Sequence, residues 1–156
     1  MLKVVRTMSL TIVIMCVLAP GVHASDLDKA VAARKAMMQL RGFFVSQLAA
    51  MAKGKAAYDA KKATGAANGL LAVSTLDGSA MWLPGTGNDK LGSKTRAKPE
   101  IWSTYPAIAN DAKALTLALE KMAAAAGNGL DALRSSIGPV GKACSSCHET
   151  YRAPKN

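Results

Sequence analysis

Apolar residues along most of the chain recur every three or four positions, which is the spacing of an amphipathic helix. The first helix is predicted from about residue 26 to residue 52, with Ser25 or Asp26 as its N-cap and Gly54 beyond its end. Its apolar stripe comprises Leu27, Val31, Met38, Val45 and Leu48. The pattern therefore predicts a long first helix that buries one face against the rest of the domain.

Three further helical segments follow the first. The second is predicted from Asp59, a good N-cap, to about residue 77, and a Gly- and Pro-rich loop follows over residues 83–98. The third is predicted from Pro99 to about residue 126, where Pro106 implies a kink or a restart, and the fourth runs from about residue 130 to residue 152. Four helices with such connections predict an all-α, antiparallel, up-down-up-down four-helix bundle.

The composition supports a helical domain. Of 156 residues, 50% are hydrophobic but only 4% are aromatic, whereas a β-sandwich would need more aromatic and β-branched side chains. The net charge of +10 has no interleaved aromatic residues and no nucleic-acid motif beside it, so DNA or RNA binding is not expected. The positive field either steers the protein towards an acidic redox partner or belongs to an ordinary solvated surface.

The first residues have the pattern of a cleaved secretory signal peptide. Lys3 and Arg6 precede an apolar core over residues 10–19, and Val22-His23-Ala24 is a small-residue cleavage site. We therefore predict a signal peptide over residues 1–24, a mature domain over residues 25–156 and a periplasmic location. Cleavage would lower the net charge to about +8 and would leave two cysteines and one histidine.

Those three residues form one motif near the C-terminus, Cys144-Ser145-Ser146-Cys147-His148. This is the C-x-x-C-H pattern of covalent c-type haem attachment. Residues three and four apart share a helix face, so both thiols can reach the vinyl groups of one haem while the imidazole points at the iron. The alternatives are a redox-active cysteine pair, which normally accompanies a βαβ pattern, and half of a zinc site, for which the mature chain has no fourth ligand.

Several segments in addition to this motif resemble the cytochrome c-prime family, also called class II cytochromes c. They are Lys53-Gly54, Tyr58-Asp59-Ala60, Pro99-Glu100-Ile101-Trp102, Val140-Gly141 and Tyr151-Arg152. The resemblance covers nearly all of the mature chain and implies one covalently bound haem c. It also implies the four-helix bundle, because cytochromes c′ are established examples of that fold.

The resemblance implies further contacts with the haem. Arg34 matches a first-helix arginine near a haem propionate, although the same residue could be a solvated arginine on a helix. Trp82 falls where the family has an aromatic residue against the haem, and it could equally be an ordinary core tryptophan. Arg152 matches an arginine on the proximal side, where it would either tune His148 or face solvent.

The sixth iron position separates two functions. In one, His148 and Met38 both bind the iron and the protein is an electron carrier; in the other, the haem is five-coordinate and binds nitric oxide or carbon monoxide. The resemblance places Met38, four residues after Arg34, where high-spin relatives have an apolar residue and low-spin relatives have a ligating methionine. Met37 lies about 100° away on the helix, with Leu40 and Phe44.

We therefore expect Met38 rather than Met37 to face the haem and to bind the iron. The first function would require periplasmic or membrane-bound redox partners, and the resemblance is also compatible with a homodimer formed through the first two helices. An enzyme is not expected, because the mature chain lacks a distal histidine or a polar catalytic cluster.

Overall fold

The computed structural model describes residues 24–155, so the predicted signal peptide lies outside the described residues except for Ala24. Four long helices form the body of the structure: α1 (Ala24–Ala52), α2 (Ala60–Ser74), α5 (Ala107–Ala125) and α6 (Leu130–Tyr151). Two single-turn helices, α3 (Asn88–Leu91) and α4 (Glu100–Ser103), lie in the connection between α2 and α5. Over residues 24–155 there is no β-strand, and none of the helices is long and apolar enough to cross a membrane.

The four long helices form an antiparallel bundle. Helix α1 packs against α2 and α6, and α5 packs against the same two helices. Tyr58 Oη donates to the Ala126 carbonyl at 2.9 Å, which joins the start of α2 to the end of α5. Arg134 Nε donates to the Ala52 carbonyl, also at 2.9 Å, which joins the start of α6 to the end of α1. These contacts confirm the predicted all-α, up-down-up-down architecture.

Alanine, leucine and methionine side chains fill most of the bundle core. Its buried members are Leu48, Met51, Ala63, Ala66, Ala67, Leu70, Leu119, Met122, Ala126, Leu133 and Val140. Gly69 permits one close contact, since a Cβ built on this residue would lie 2.6 Å from the Phe44 ring. Alanine and glycine on α2 therefore let α1 approach closely, which compensates for the small number of aromatic residues.

Three of the predicted helices have the expected bounds to within a few residues. Helix α2 begins after Asp59, whose carboxylate accepts a hydrogen bond from the Lys62 backbone amide at 2.9 Å, as expected of an N-cap. The helix ends at Ser74, three residues before the predicted end.

The predicted third helix is two helices, α4 and α5, because Pro106 has no backbone N–H and disfavours a helical conformation of Tyr105. Of the two effects predicted for Pro106, a kink in one helix or the start of a new helix, the structure shows the start of a new helix.

The connection between α2 and α5 is more regular than the predicted loop. It contains α3 and two 3₁₀ turns, Ser79–Met81 and Gly92–Lys94. It also pairs with the chain after α6, because the Ala153 amide donates to the Arg96 carbonyl at 2.8 Å and the Lys98 amide donates to the Tyr151 carbonyl at 3.0 Å. This pairing holds the connection beside the last turns of α6, where the C-x-x-C-H motif lies.

Candidate haem-attachment site

The C-x-x-C-H motif occupies the last two turns of α6. Cys144 and Cys147 are separated by about one turn, and both are half-buried free thiols that form no disulfide. His148 follows directly and is also half-buried. The local helix therefore places the two thiols on one side of α6, as the sequence predicts.

The two cysteines lie in different apolar surroundings. Cys144 packs against the main bundle core, whereas Cys147 packs against a smaller cluster formed by the α2–α5 connection and the end of α6. That cluster contains Ala97, Ile101, Tyr151, Trp82, Trp102 and Ile108. The structure thus brings Trp82 into the same cluster as Cys147, although these residues are far apart in the sequence.

Burial and nearby arginines set the protonation of the motif. Burial raises the pKa of the Cys144 and Cys147 thiols, and the positive charge of Arg41 acts in the opposite direction. Burial lowers the pKa of His148, and Arg152, Arg96 and Arg41 lower it further. Because its ordinary pKa is already below 7, His148 is a neutral imidazole at neutral pH. A neutral imidazole is the form that binds a metal ion.

Arg34 is buried on α1, with only 4% of its surface exposed, and it anchors the α2–α5 connection. Nη1 donates to the Thr86 hydroxyl and the Met81 carbonyl at 3.0 and 3.3 Å. Nη2 donates to the Thr86 carbonyl and the Thr95 hydroxyl at 3.0 and 2.9 Å. Arg34 is therefore not a solvated arginine, and protein groups already accept hydrogen bonds from both of its terminal nitrogens. Its contact with a haem propionate stays a prediction.

Trp82 lies directly against Arg34. The guanidinium carbon of Arg34 is 4.7 Å from the centroid of the indole ring, which is a cation–π distance. The Trp82 carbonyl also accepts a hydrogen bond from Trp102 Nε1 at 2.8 Å. The position of Trp82 is compatible with both interpretations of the sequence, a residue against the haem and an ordinary core tryptophan. Its ring packs in an apolar cluster that includes the haem-attachment residue Cys147.

Arg152 lies beside His148 at the end of α6. Its backbone amide donates to the His148 carbonyl at 3.1 Å, and its side chain is exposed. Both residues line a cavity of about 680 Å³ whose wall also includes Arg96, Lys98 and Glu100. The structure thus places Arg152 on the histidine side of the motif, and its predicted influence on the haem ligand remains a prediction.

Two methionines and an arginine occupy the centre of α1. Met37 is buried, with only 6% of its surface exposed, whereas Met38 is half-buried. Met38 Sδ accepts a hydrogen bond from Arg41 Nη1 at 3.8 Å. The sequence analysis did not identify Arg41 as a site residue. Its position was nevertheless a signal, because a charged residue three positions after Met38 lies on the same face of the helix as the apolar stripe.

The residues present fit a covalently bound haem c. Two free thiols and a neutral imidazole follow one another on α6, next to apolar and aromatic side chains. Cys144 and Cys147 would hold the haem through thioether bonds, and His148 would bind the iron.

Comparison with known proteins gives the same assignment. The family model described as Cytochrome C′ matches residues 29–152. The chain is 34% identical to the cytochrome c′ of Cereibacter sphaeroides over 142 residues, which are 91% of this chain and 95% of that protein.

Solved structures of cytochromes c′ have the same fold. The structure of cytochrome c′ from Rhodobacter sphaeroides matches with a TM-score of 0.80 and 34% identity, over 83% of this chain and 98% of that chain. A variant of the Alcaligenes xylosoxidans protein, solved in its ferrous form with bound nitric oxide, matches with a TM-score of 0.72 and 31% identity, over 83% and 97% of the two chains. This chain therefore belongs to the cytochrome c′ family, whose members carry one covalently bound haem c.

Proposed function

We propose that the protein is a periplasmic single-electron carrier in which His148 and Met38 would be the two protein ligands of the haem iron. The haem supplies a reversible one-electron change at its iron. The protein holds it through Cys144 and Cys147, and a thioether in the sixth position would leave no open site for a gas ligand. Histidine–methionine ligation also raises the reduction potential of a haem.

The observation that carries this proposal is the position of the Met38 thioether. Its sulfur is next to Arg41, and Val45 on the same stripe of α1 packs against the core cluster that Cys144 also contacts. Met38 is therefore on a face of α1 that is directed towards the core beside Cys144. A thioether is a competent ligand for haem iron and, unlike a carboxylate or an amine, needs no deprotonation to bind.

The location and partners follow from the same proposal. The predicted signal peptide agrees with export, and the net charge of about +8 that cleavage would leave suits an acidic redox partner in the periplasm or at the membrane surface. A homodimer is compatible with three exposed apolar side chains on or next to the first two helices, Leu40, Phe43 and Leu76.

A second candidate is a five-coordinate haem protein that binds nitric oxide or carbon monoxide. The comparisons favour this candidate over the electron carrier, since the relatives reported above are cytochromes c′, which are commonly five-coordinate and high-spin, and one was solved with bound nitric oxide. In that case Met38 would fill the distal side without binding the iron, as methionine often does in apolar cores. The two candidates share the fold and the attachment motif and differ only at the sixth position.

Carbon monoxide binding by the reduced native protein distinguishes the two candidates. Met38 bound to the iron would have to be displaced, so we expect less than a tenth of the haem to bind carbon monoxide at a concentration that saturates an open haem. The measurement is the change in the absorption spectrum during a carbon monoxide titration, with argon as the control gas. Full binding at stoichiometric carbon monoxide would replace the electron-carrier proposal with the gas-binding one.

A further inference from the structure

Arg41 is a half-buried cation on α1 that has no acidic partner in the part of the chain that the structure describes. Nη2 donates to the Ser74 carbonyl at 3.4 Å, and Nη1 donates to Met38 Sδ at 3.8 Å. Among residues 24–155, no carboxylate lies within 4.0 Å of its guanidinium. Its Nε and the neighbouring Ser74 Oγ are both buried without a hydrogen-bond partner. No acidic side chain among residues 24–155 therefore neutralises this partly buried charge.

Arg41 lies beside the core that holds the first attachment cysteine. It shares one face of α1 with Phe44 and Val45, which follow three and four residues later. Both of these side chains pack against the same core cluster as Cys144. Burial lowers the pKa of Arg41 itself, but an arginine starts from so high a value that it stays protonated at neutral pH. A haem held by the attachment motif would therefore lie close to a permanent positive charge.

We propose that Arg41 is a positioning residue that stabilises the ferrous haem relative to the ferric haem and thereby raises the reduction potential. Ferric iron gains one electron from an external reductant and becomes ferrous, so the net charge of the site falls by one and no proton moves. A fixed cation in a medium of low dielectric opposes the more positive, ferric state. The inference rests on the haem site on α6, but the charge effect holds for either candidate function.

Hydrogen bonding to Met38 would act in the same direction when Met38 binds the iron. An N–H donor on the thioether withdraws electron density from the sulfur, which weakens its donation to ferric iron more than to ferrous iron. The Ser74 carbonyl, at the end of α2, fixes the guanidinium in this position. Arg41 therefore joins the end of α2 to the expected distal ligand on α1.

The test is a redox titration of four haem-loaded proteins: wild type, Arg41→Gln, Arg41→Lys and Arg134→Gln. For Arg41→Gln we expect the equilibrium constant for reduction to fall at least tenfold, or about 59 mV for a one-electron couple. Arg41→Lys keeps the charge, so its equilibrium constant for reduction should lie within threefold of the wild-type value. Arg134 is an exposed arginine on α6, so Arg134→Gln removes the same charge from the surface and should change the constant less than twofold.

Two outcomes would overturn the proposal. One is an equilibrium constant for reduction of Arg41→Gln that lies within threefold of the wild-type value. A haem propionate that cancelled the charge would give the same result. The other is an equilibrium constant for reduction of Arg41→Lys that is as low as that of Arg41→Gln, since the charge would then not be responsible. If Arg41→Gln fails to retain haem, Arg41→Leu provides the same neutral comparison with an apolar side chain.

Coordination must be followed in the same samples. A fall in potential that comes with newly gained carbon monoxide binding would assign the effect to displacement of Met38 and would overturn the proposal. Carbon monoxide binding by the wild type would instead contradict only the electron-carrier function. The difference between wild type and Arg41→Gln should also persist at 0.5 M salt, because a partly buried charge is screened much less than a surface charge.

Discussion

Replacement of both Cys144 and Cys147 by alanine is expected to abolish covalent haem attachment completely. Each thiol adds to one vinyl group, so a single substitution leaves at most one thioether bond and the double substitution leaves none. The measurement is acid–acetone extraction, which removes non-covalent haem and leaves covalent haem on the protein. We expect wild type to keep its colour after extraction and the double variant to lose it.

The residues between the two cysteines provide a matched control. Ser145 and Ser146 are exposed on the same turn of α6, so replacing both by alanine alters the motif without removing a thiol. This control should keep its haem through extraction. Haem that remained on the Cys144→Ala, Cys147→Ala protein would show that the attachment lies elsewhere and would contradict the site described above.

Met38→Leu is expected to open the sixth iron position. Leucine has a similar volume and no sulfur, so it fills the distal side but cannot bind the iron. The reduced variant should bind carbon monoxide fully, whereas less than a tenth of the wild-type haem should do so. Loss of the thioether should also lower the equilibrium constant for reduction more than tenfold, or about 59 mV, since histidine–methionine ligation favours ferrous haem.

Met37→Leu is the control for this experiment. Met37 is buried, so its substitution should affect packing by no more than about 1.5 kcal/mol and should leave the spectrum and the carbon monoxide reactivity unchanged. If Met37→Leu opened the iron and Met38→Leu did not, our choice between the two neighbours would be wrong. If neither variant differed from wild type, no methionine of this pair would be a ligand.

The sequence was sufficient to predict the bundle, because each helix begins or ends at a local signal. The Asp59 N-cap and Pro106 act within one or two turns, and both have the predicted effect in the structure. The C-x-x-C-H motif is also local, since one helix positions all of its residues. These features depend on neighbours in the sequence, which the pattern of residues records directly.

The environment of the site depends on contacts between distant segments, and the sequence did not predict it. Arg34 binds Thr86 and Thr95, which are 52 and 61 residues away, and nothing in its own helix indicates these partners. The same applies to Arg41 and Ser74, which are 33 residues apart. The stripe containing Met38 also failed to show that Met37 is the more deeply buried of the two.

The absorption spectrum of the native holoprotein, recorded in both oxidation states, tests the His148–Met38 ligation most directly. Two axial ligands make the iron low-spin, so we predict a sharp α band in the reduced protein. We also predict a weak band at the red end of the spectrum of the oxidised protein, from the bond between iron and sulfur. Broad high-spin bands in both states, without that weak band, would contradict the proposed ligation and would identify the protein as a five-coordinate cytochrome c′.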